Sequence, residues 1–176
     1  GKAINFVTVR IDSEDPYNVV GEIQARGTNI MSGYYKNEEA TKAAFTEDGW
    51  MNTGDLGVID KAGNIFIRGR SKNMILTSNG QNIYPEEVEA ACNNQPYVIE
   101  SVVVDRKGVL VALLYMDKDK MAADGIQGDA LTDKLNEIRV SVNKGMPSYS
   151  KIGKIEVMDQ PFEKTPKMSV KRFLYS

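Results

Sequence analysis

The apolar pattern changes character near Arg70, and no single fold type accommodates both halves of the chain. Before Arg70, β-branched residues gather in short runs, Ile4 to Ile11 and Val19 to Arg26, punctuated by Asp15-Pro16 and Gly27. Runs of this kind between turn formers predict strands. Val58 to Asp60 and Ile65 to Arg68 flank Lys61-Ala62-Gly63-Asn64, the pattern of a hairpin with a tight polar turn. One short surface helix is expected over Asn37 to Phe45, with Asn37 as N-cap, Glu38 and Glu39 in the first turn and Ala40, Ala43 and Ala44 propagating it. After Arg70 strands and helices alternate. Met74 to Thr77 predicts a strand, Asn79-Gly80 a turn, and Pro85-Glu86-Glu87 a helix start, after which Val88, Ala91 and Cys92 share a face. Ser101 to Asp105 and Val109 to Met116 predict an antiparallel hairpin around Arg106-Lys107-Gly108. Leu131, Leu135, Ile138 and Val142 mark a helix over Asp129 to Lys144, and Ile152 to Met158 a last strand before a basic, loop-like tail from Phe162 to Ser176. The expected class is α+β: a small β-rich part over 1–68, a junction over 69–73, and a small α/β part over 74–176 with an antiparallel or mixed sheet.

Composition narrows the chemistry. Of 176 residues, 22 are Lys or Arg and 24 Asp or Glu, a net charge of −2 that offers no nucleic-acid surface and no polybasic membrane anchor. No apolar run approaches the roughly 20 residues that span a bilayer, and no signal-peptide layout opens the chain, so a cytoplasmic setting is expected. Histidine is absent, which removes imidazole-based hydrolases and His-ligated zinc from within this chain, and no metal ligand set is expected. Any electrostatic or acid-base role falls to Asp, Glu, Lys, Arg or Tyr. The single cysteine, Cys92, is expected in the core.

Several polar turns carry side chains suited to a nucleotide. Asn52-Thr53-Gly54-Asp55, expected as a turn before a strand, places a carboxylate where it can accept hydrogen bonds from vicinal hydroxyls. Gly69-Arg70-Ser71-Lys72 leaves a strand at the expected domain boundary; an arginine there presents a planar set of donors, and Lys72 stands where backbone rotation between two domains could be absorbed. Ser78-Asn79-Gly80-Gln81-Asn82 puts a residue without a side chain in a polar loop before a helix, which permits close approach of a long thin ligand. Taken singly, each is also an ordinary turn.

Together and in this order they resemble a known family. Trp50-Met51-Asn52-Thr53-Gly54-Asp55-Leu56, then Gly69-Arg70, then Ile75 to Glu89 (ILTSNGQNIYPEEVE) are similar to motifs of the adenylate-forming superfamily of acyl-coenzyme A synthetases, luciferases and peptide-synthetase adenylation domains. Gly21-Glu22-Ile23 and Gly33-Tyr34-Tyr35, with Thr41 and Phe45, look like the preceding block, and the resemblance runs from about Ile4 to Arg172. It implies that 1–68 is the end of a large N-terminal domain and 74–176 a mobile C-terminal lid domain. It further implies that Asp55 and Arg70 hold the ribose of ATP, that Lys72 is the hinge, and that Gly80 lines the channel for the pantetheine arm of coenzyme A.

The tail departs from the family pattern. A lysine in a Pro-Lys-Thr-x-x-Gly-Lys-like stretch neutralises charge during adenylation in the family, but counting from Thr165 that position is Ser169. Lys171 or Lys167 substitutes for it, or adenylation proceeds differently; a solvated basic tail is the remaining alternative. The resemblance implies an ATP-dependent acyl-coenzyme A synthetase, most like long-chain fatty-acid ligases, using ATP, Mg2+ and coenzyme A, with peripheral membrane contact through its acyl substrate. The family's phosphate loop and acyl pocket are expected upstream, so the chain is expected to begin mid-protein and to be inactive alone. An enzyme that loads a carrier protein and a free-standing nucleotide-binding adaptor are the alternatives.

Overall fold

The computed structural model describes residues 1–77 and 79–176; Ser78, one residue of the expected polar loop, lies outside them. The chain divides into two compact units, Gly1–Asn73 and Met74–Ser176.

In the first unit, β1 (Val7–Asp12), β2 (Gly21–Gly27), β3 (Met51–Ile59) and β4 (Ile65–Arg70) form an antiparallel sheet in chain order. Short connections join β1 to β2 and β3 to β4, as suits antiparallel neighbours, whereas β2 reaches β3 through the longer segment 28–50. Ile11, Ile23, Ala25 and Val58 supply a small core. Gln24 is buried among them, and its amide is satisfied by Arg10 Nε at 2.6 Å and Asn52 Oδ1 at 2.9 Å. Arg10 also forks onto Asp48 at 2.7 and 3.0 Å and stacks 4.5 Å from the Trp50 ring. Helix α1 (Glu38–Ala44) is capped by the Asn37 side chain, which accepts from Ala40 N–H at 2.9 Å, and it buries no residue. Two sequence expectations fail here. The first strand starts at Val7, because Phe6 takes φ 68° and it and Ile4 are exposed. Asn52 to Asp55 is not a turn before a strand but an irregular stretch within β3.

In the second unit, β5 (Ile75–Leu76) and β6 (Asn82–Ile83) close a small hairpin around Gly80, and α2 (Pro85–Asn93) follows. The main sheet runs β7 (Val98–Arg106), β8 (Val109–Met116), β9 (Ile152–Met158), with β7 antiparallel and β9 parallel to the central β8. A parallel neighbour requires a crossover, supplied by α3 (Lys118–Ala123) and α4 (Asp129–Lys144). The Asn143 side chain pins the end of α4 to β9, donating to Ile152 C=O at 2.9 Å and accepting from Ile152 N–H at 2.7 Å. Helix α3, capped by Asp117, is absent from the sequence expectation, since its charged turns bury only Met121.

Alternation along the sheet makes two cores. Val103, Ala112 and Leu114 face α2 and α4, packing with Val88, Cys92, Ile138 and Val142. Val102, Val104, Val111 and Leu113 face the other way and are covered by Phe162 of the tail. Each such side chain removed from water stabilises by about 1.5–3 kcal/mol. The tail is loop-like in its backbone, as expected, but Phe162 anchors it to the sheet.

Cys92 is fully buried, and desolvation, followed by the nearby Glu89 charge, pushes its thiol up to about 12. Because the folded thiol holds its proton more tightly than an unfolded one, its contribution to stability is complete below the unfolded value of about 8.5 and declines as pH rises from there toward the folded one. Labelling with a thiol reagent at pH 8 is expected to be slow in the native chain and to track unfolding in denaturant; rapid native labelling contradicts this burial.

Candidate functional site

The irregularity in β3 is a bulge that the neighbouring strand holds in place. Gln24 pairs with Asn52 and Glu22 with Leu56, so β3 spends extra residues, Thr53 to Asp55, opposite a short stretch of β2. Gly54 sits at φ +76°, a left-handed backbone that most side chains resist. Its N–H donates to Glu22 Oε1 at 3.1 Å. The Thr53 hydroxyl donates to Ile23 C=O at 2.7 Å and accepts from Asp55 N–H at 3.1 Å. Sequence reasoning missed these staples, since Glu22 and Gly54 are distant along the chain and only the strand pairing joins them.

The bulge presents Asp55 directly across from Arg70 in the β3–β4 register, and Arg70 Nη1 donates to Asp55 Oδ1 at 2.6 Å. The two side chains are 30% and 47% exposed, so each keeps an open edge toward solvent. A carboxylate that accepts and a guanidinium that donates, fixed side by side, can bind a diol or a phosphate-bearing sugar. Ser71 adds a bond to Gly54 C=O at 3.3 Å, and Lys72 lies exposed in a 3-10 turn, Ser71–Asn73, that ends the first unit. Two open cavities of about 480 and 450 Å³ occur elsewhere in the first unit, one beside Phe6 and Arg26 and the other beside Met31 and Phe45; neither includes a candidate residue.

Gly80 belongs to the second unit, at the tip of the β5–β6 hairpin. Its N–H donates to Thr77 C=O at 3.0 Å, its φ is +75°, and a Cβ at this position would meet, among the described residues and apart from its chain neighbours, no atom within 4 Å. The glycine therefore serves the turn, and among the described residues no side chain crowds the space above it.

The tail carries a second hairpin. Lys164 and Val170 form a bridge; Thr165 N–H donates to Ser169 C=O at 2.8 Å, Met168 N–H to Thr165 C=O at 2.9 Å, and Met168 takes φ +61°. Ser169 is exposed, its N–H donating to the Thr165 hydroxyl at 3.3 Å. Lys171 lies at the base, its backbone N–H bonded to Glu163 C=O at 2.9 Å and its ammonium 3.1 Å from Glu163 Oε2. Lys164 pairs with Glu100 at 2.8 Å. Lys167 is exposed at the tip, with no ion pair among the described residues. Asp55, Arg70 and Lys72 thus fall in one unit and Gly80, Lys167 and Lys171 in the other.

No group of three or more His, Cys, Asp or Glu side chains able to hold a metal ion occurs among the described residues, and no helix there is long and apolar enough to cross a membrane.

Comparisons with known proteins identify the family. Residues 72–175 match the model of the AMP-binding enzyme C-terminal domain. The long-chain-fatty-acid–CoA ligase FadD15 of Mycobacterium tuberculosis is 36% identical over 172 residues, covering 86% of this chain and 28% of that protein. A 2-succinylbenzoate–CoA ligase of Bacillus cytotoxicus is 38% identical over 109 residues, covering 60% of this chain and 22% of that one. Among solved structures, the O-succinylbenzoate coenzyme A synthetase of Bacillus subtilis in complex with AMP superposes with a TM-score of 0.78 at 29% identity, over 99% of this chain and 34% of that chain. The chain spans about a quarter to a third of the length of these proteins. Fold and match together show that the chain belongs to the family of AMP-binding enzyme C-terminal domains, in the adenylate-forming acyl-coenzyme A ligases.

Proposed function

We propose that the chain forms the carboxyl-terminal part of a synthetase that joins a carboxylate to ATP as acyl-adenylate and pyrophosphate, then exchanges AMP for coenzyme A to give a thioester. The carrying observation is the Asp55–Arg70 pair, an acceptor and a donor held at 2.6 Å by strand register with open edges. On this reading the pair binds the ribose hydroxyls, and a large adenylating domain supplies the phosphate loop and acyl pocket. Magnesium would accompany the triphosphate and neutralise phosphate charge there. A cytoplasmic setting follows from the ATP and coenzyme A that such an enzyme consumes.

The division at Asn73–Met74 supports Lys72 as the hinge about which the lid turns between the two half-reactions, and the space over Gly80, which no described side chain crowds, supports passage of the pantetheine arm. Lys167 is the better placed adenylating cation: it stands at the hairpin tip, whereas Lys171 is tied at the base to Glu163. A long-chain fatty acid is the proposed acyl group, supported by the FadD15 likeness over most of the chain, although the 2-succinylbenzoate ligase shows that relatives take other acids.

With this chain joined to a large adenylating domain, coenzyme A is expected to yield thioester in a titration where an acyl carrier protein does not. In the same assays Lys72→Pro is expected to spare adenylate formation while stopping thioester formation, because proline fixes the backbone that must rotate. Thioester with the carrier alone, or equal loss of both steps, overturns the respective assignment. Lys167→Ala is expected to slow adenylation by about 10-fold or more, the scale of removing one charge-stabilising donor, and Lys171→Ala by less. The reverse order returns the role to Lys171.

A further inference from the structure

The hairpin that bears Lys167 is closed by bonds between half-buried and exposed residues, Thr165 with Ser169 and Lys164 with Val170, and bonds of this kind contribute little net rigidity by themselves. Its orientation is set by what grips its two ends. Ahead of it, Phe162 is buried against Val102 and Leu113 and meets the Tyr175 ring edge-on at 5.1 Å. The Glu163 N–H donates to the Tyr175 hydroxyl at 2.7 Å. Behind it, the Arg172 guanidinium turns into the domain. Its Nη2 donates to Glu89 Oε2 and lies 3.8 Å from Glu86 Oε1, both on α2, while its Nη1 donates to Val103 C=O on β7 at 3.4 Å.

Glu89 is the polar centre of this contact. It is 8% exposed and accepts the Val103 N–H at 2.6 Å as well as the arginine. Burial pushes its carboxyl up, with Arg172 opposing. A carboxylate this far from water is expensive to keep unless it is paired with good geometry, so the partner is constrained to one place. That partner sits one residue beyond Lys171. Neither Glu89 nor Arg172 has a part in the chemistry proposed above.

Resting on the synthetase reading, we propose that Arg172, held by Glu89 and the Val103 carbonyl, is a positioning residue that fixes the lysine-bearing hairpin for adenylation and has no part in thioester formation. A flexible lysine stabilises charge at an atom only when its loop is held to within about 1 Å, and loss of such placement costs on the order of 100-fold.

The test separates the half-reactions in the polypeptide that combines this chain with a large adenylating domain. Arg172→Ala is expected to lower kcat for acyl-adenylate formation about 10- to 100-fold, leaving KM for ATP and the rate of thioester formation from supplied acyl-adenylate within about twofold. Arg172→Lys, which keeps the charge opposite Glu89, is expected to recover part of the loss. Val142→Ala, which opens a cavity under α4 away from the tail, provides a thermally destabilised control and is expected to leave both steps near wild type. Equal loss in both half-reactions by Arg172→Ala, or the same selective loss in Val142→Ala, overturns the proposal. Should the wild type make no adenylate from any carboxylate, the synthetase reading fails, and hydrogen exchange on this chain then decides the anchoring alone. Exchange at the Ser169 and Lys171 amides about 10-fold faster in Arg172→Ala supports the anchor, and unchanged exchange overturns it.

Discussion

Strand β8 is buried on both faces, and most of the second unit is arranged to keep it so. Its run Val109–Met116 is apolar at every position but Tyr115, so that Ala112 and Leu114 point to one side and Val111 and Leu113 to the other. A half-buried strand would need only one cover; this one needs two. Helices α2 and α4 cover one side, and the parallel return of β9 after α4 extends the same surface. The second side is left to the tail, which brings Phe162 onto it and folds Tyr175 back over Phe162. The hairpin between those two aromatic residues is thus held out as a consequence of covering the sheet.

The candidate site residues, by contrast, contribute little to stability. The Asp55–Arg70 pair is substantially exposed, and pairs of that kind are worth about 0–1 kcal/mol. What fixes them is backbone: a bulge stapled by Glu22 and Thr53 on one strand and the register of β4 on the next. Gly54 takes the left-handed conformation of that bulge, which glycine adopts without strain and most other residues resist. Gly80 and Lys167 stand on hairpin tips, while Arg172 is tied into the body of the unit.

Local signals made much of this legible in the sequence. The spacing of Leu131, Leu135, Ile138 and Val142 marks α4 over Asp129 to Lys144, as observed, and the Asn37 cap and Pro85 start are where side-chain chemistry puts them. Order and spacing of the motifs carried the family, and the matched model confirms it. What stayed hidden was nonlocal. Asn52 to Asp55 looks like a turn because Asn, Gly and Asp are turn formers; only pairing with β2 and β4 draws it into a strand. Helix α3 is too short and too charged to show a periodic stripe. The tail looks basic and loose because its two anchors, Phe162 and Arg172, act through partners far away in sequence.

The measurement that bears most directly on the account is carboxylate-dependent exchange of labelled pyrophosphate into ATP, with this chain joined to a large adenylating domain. Exchange with a fatty acid is predicted for the wild type. Asp55→Ala is predicted to slow it by about 10- to 100-fold, the loss of charge-assisted hydrogen bonds worth about 1.5–3 kcal/mol. Exchange that proceeds unchanged without the Asp55 carboxylate, or that fails with every carboxylate offered, would contradict it.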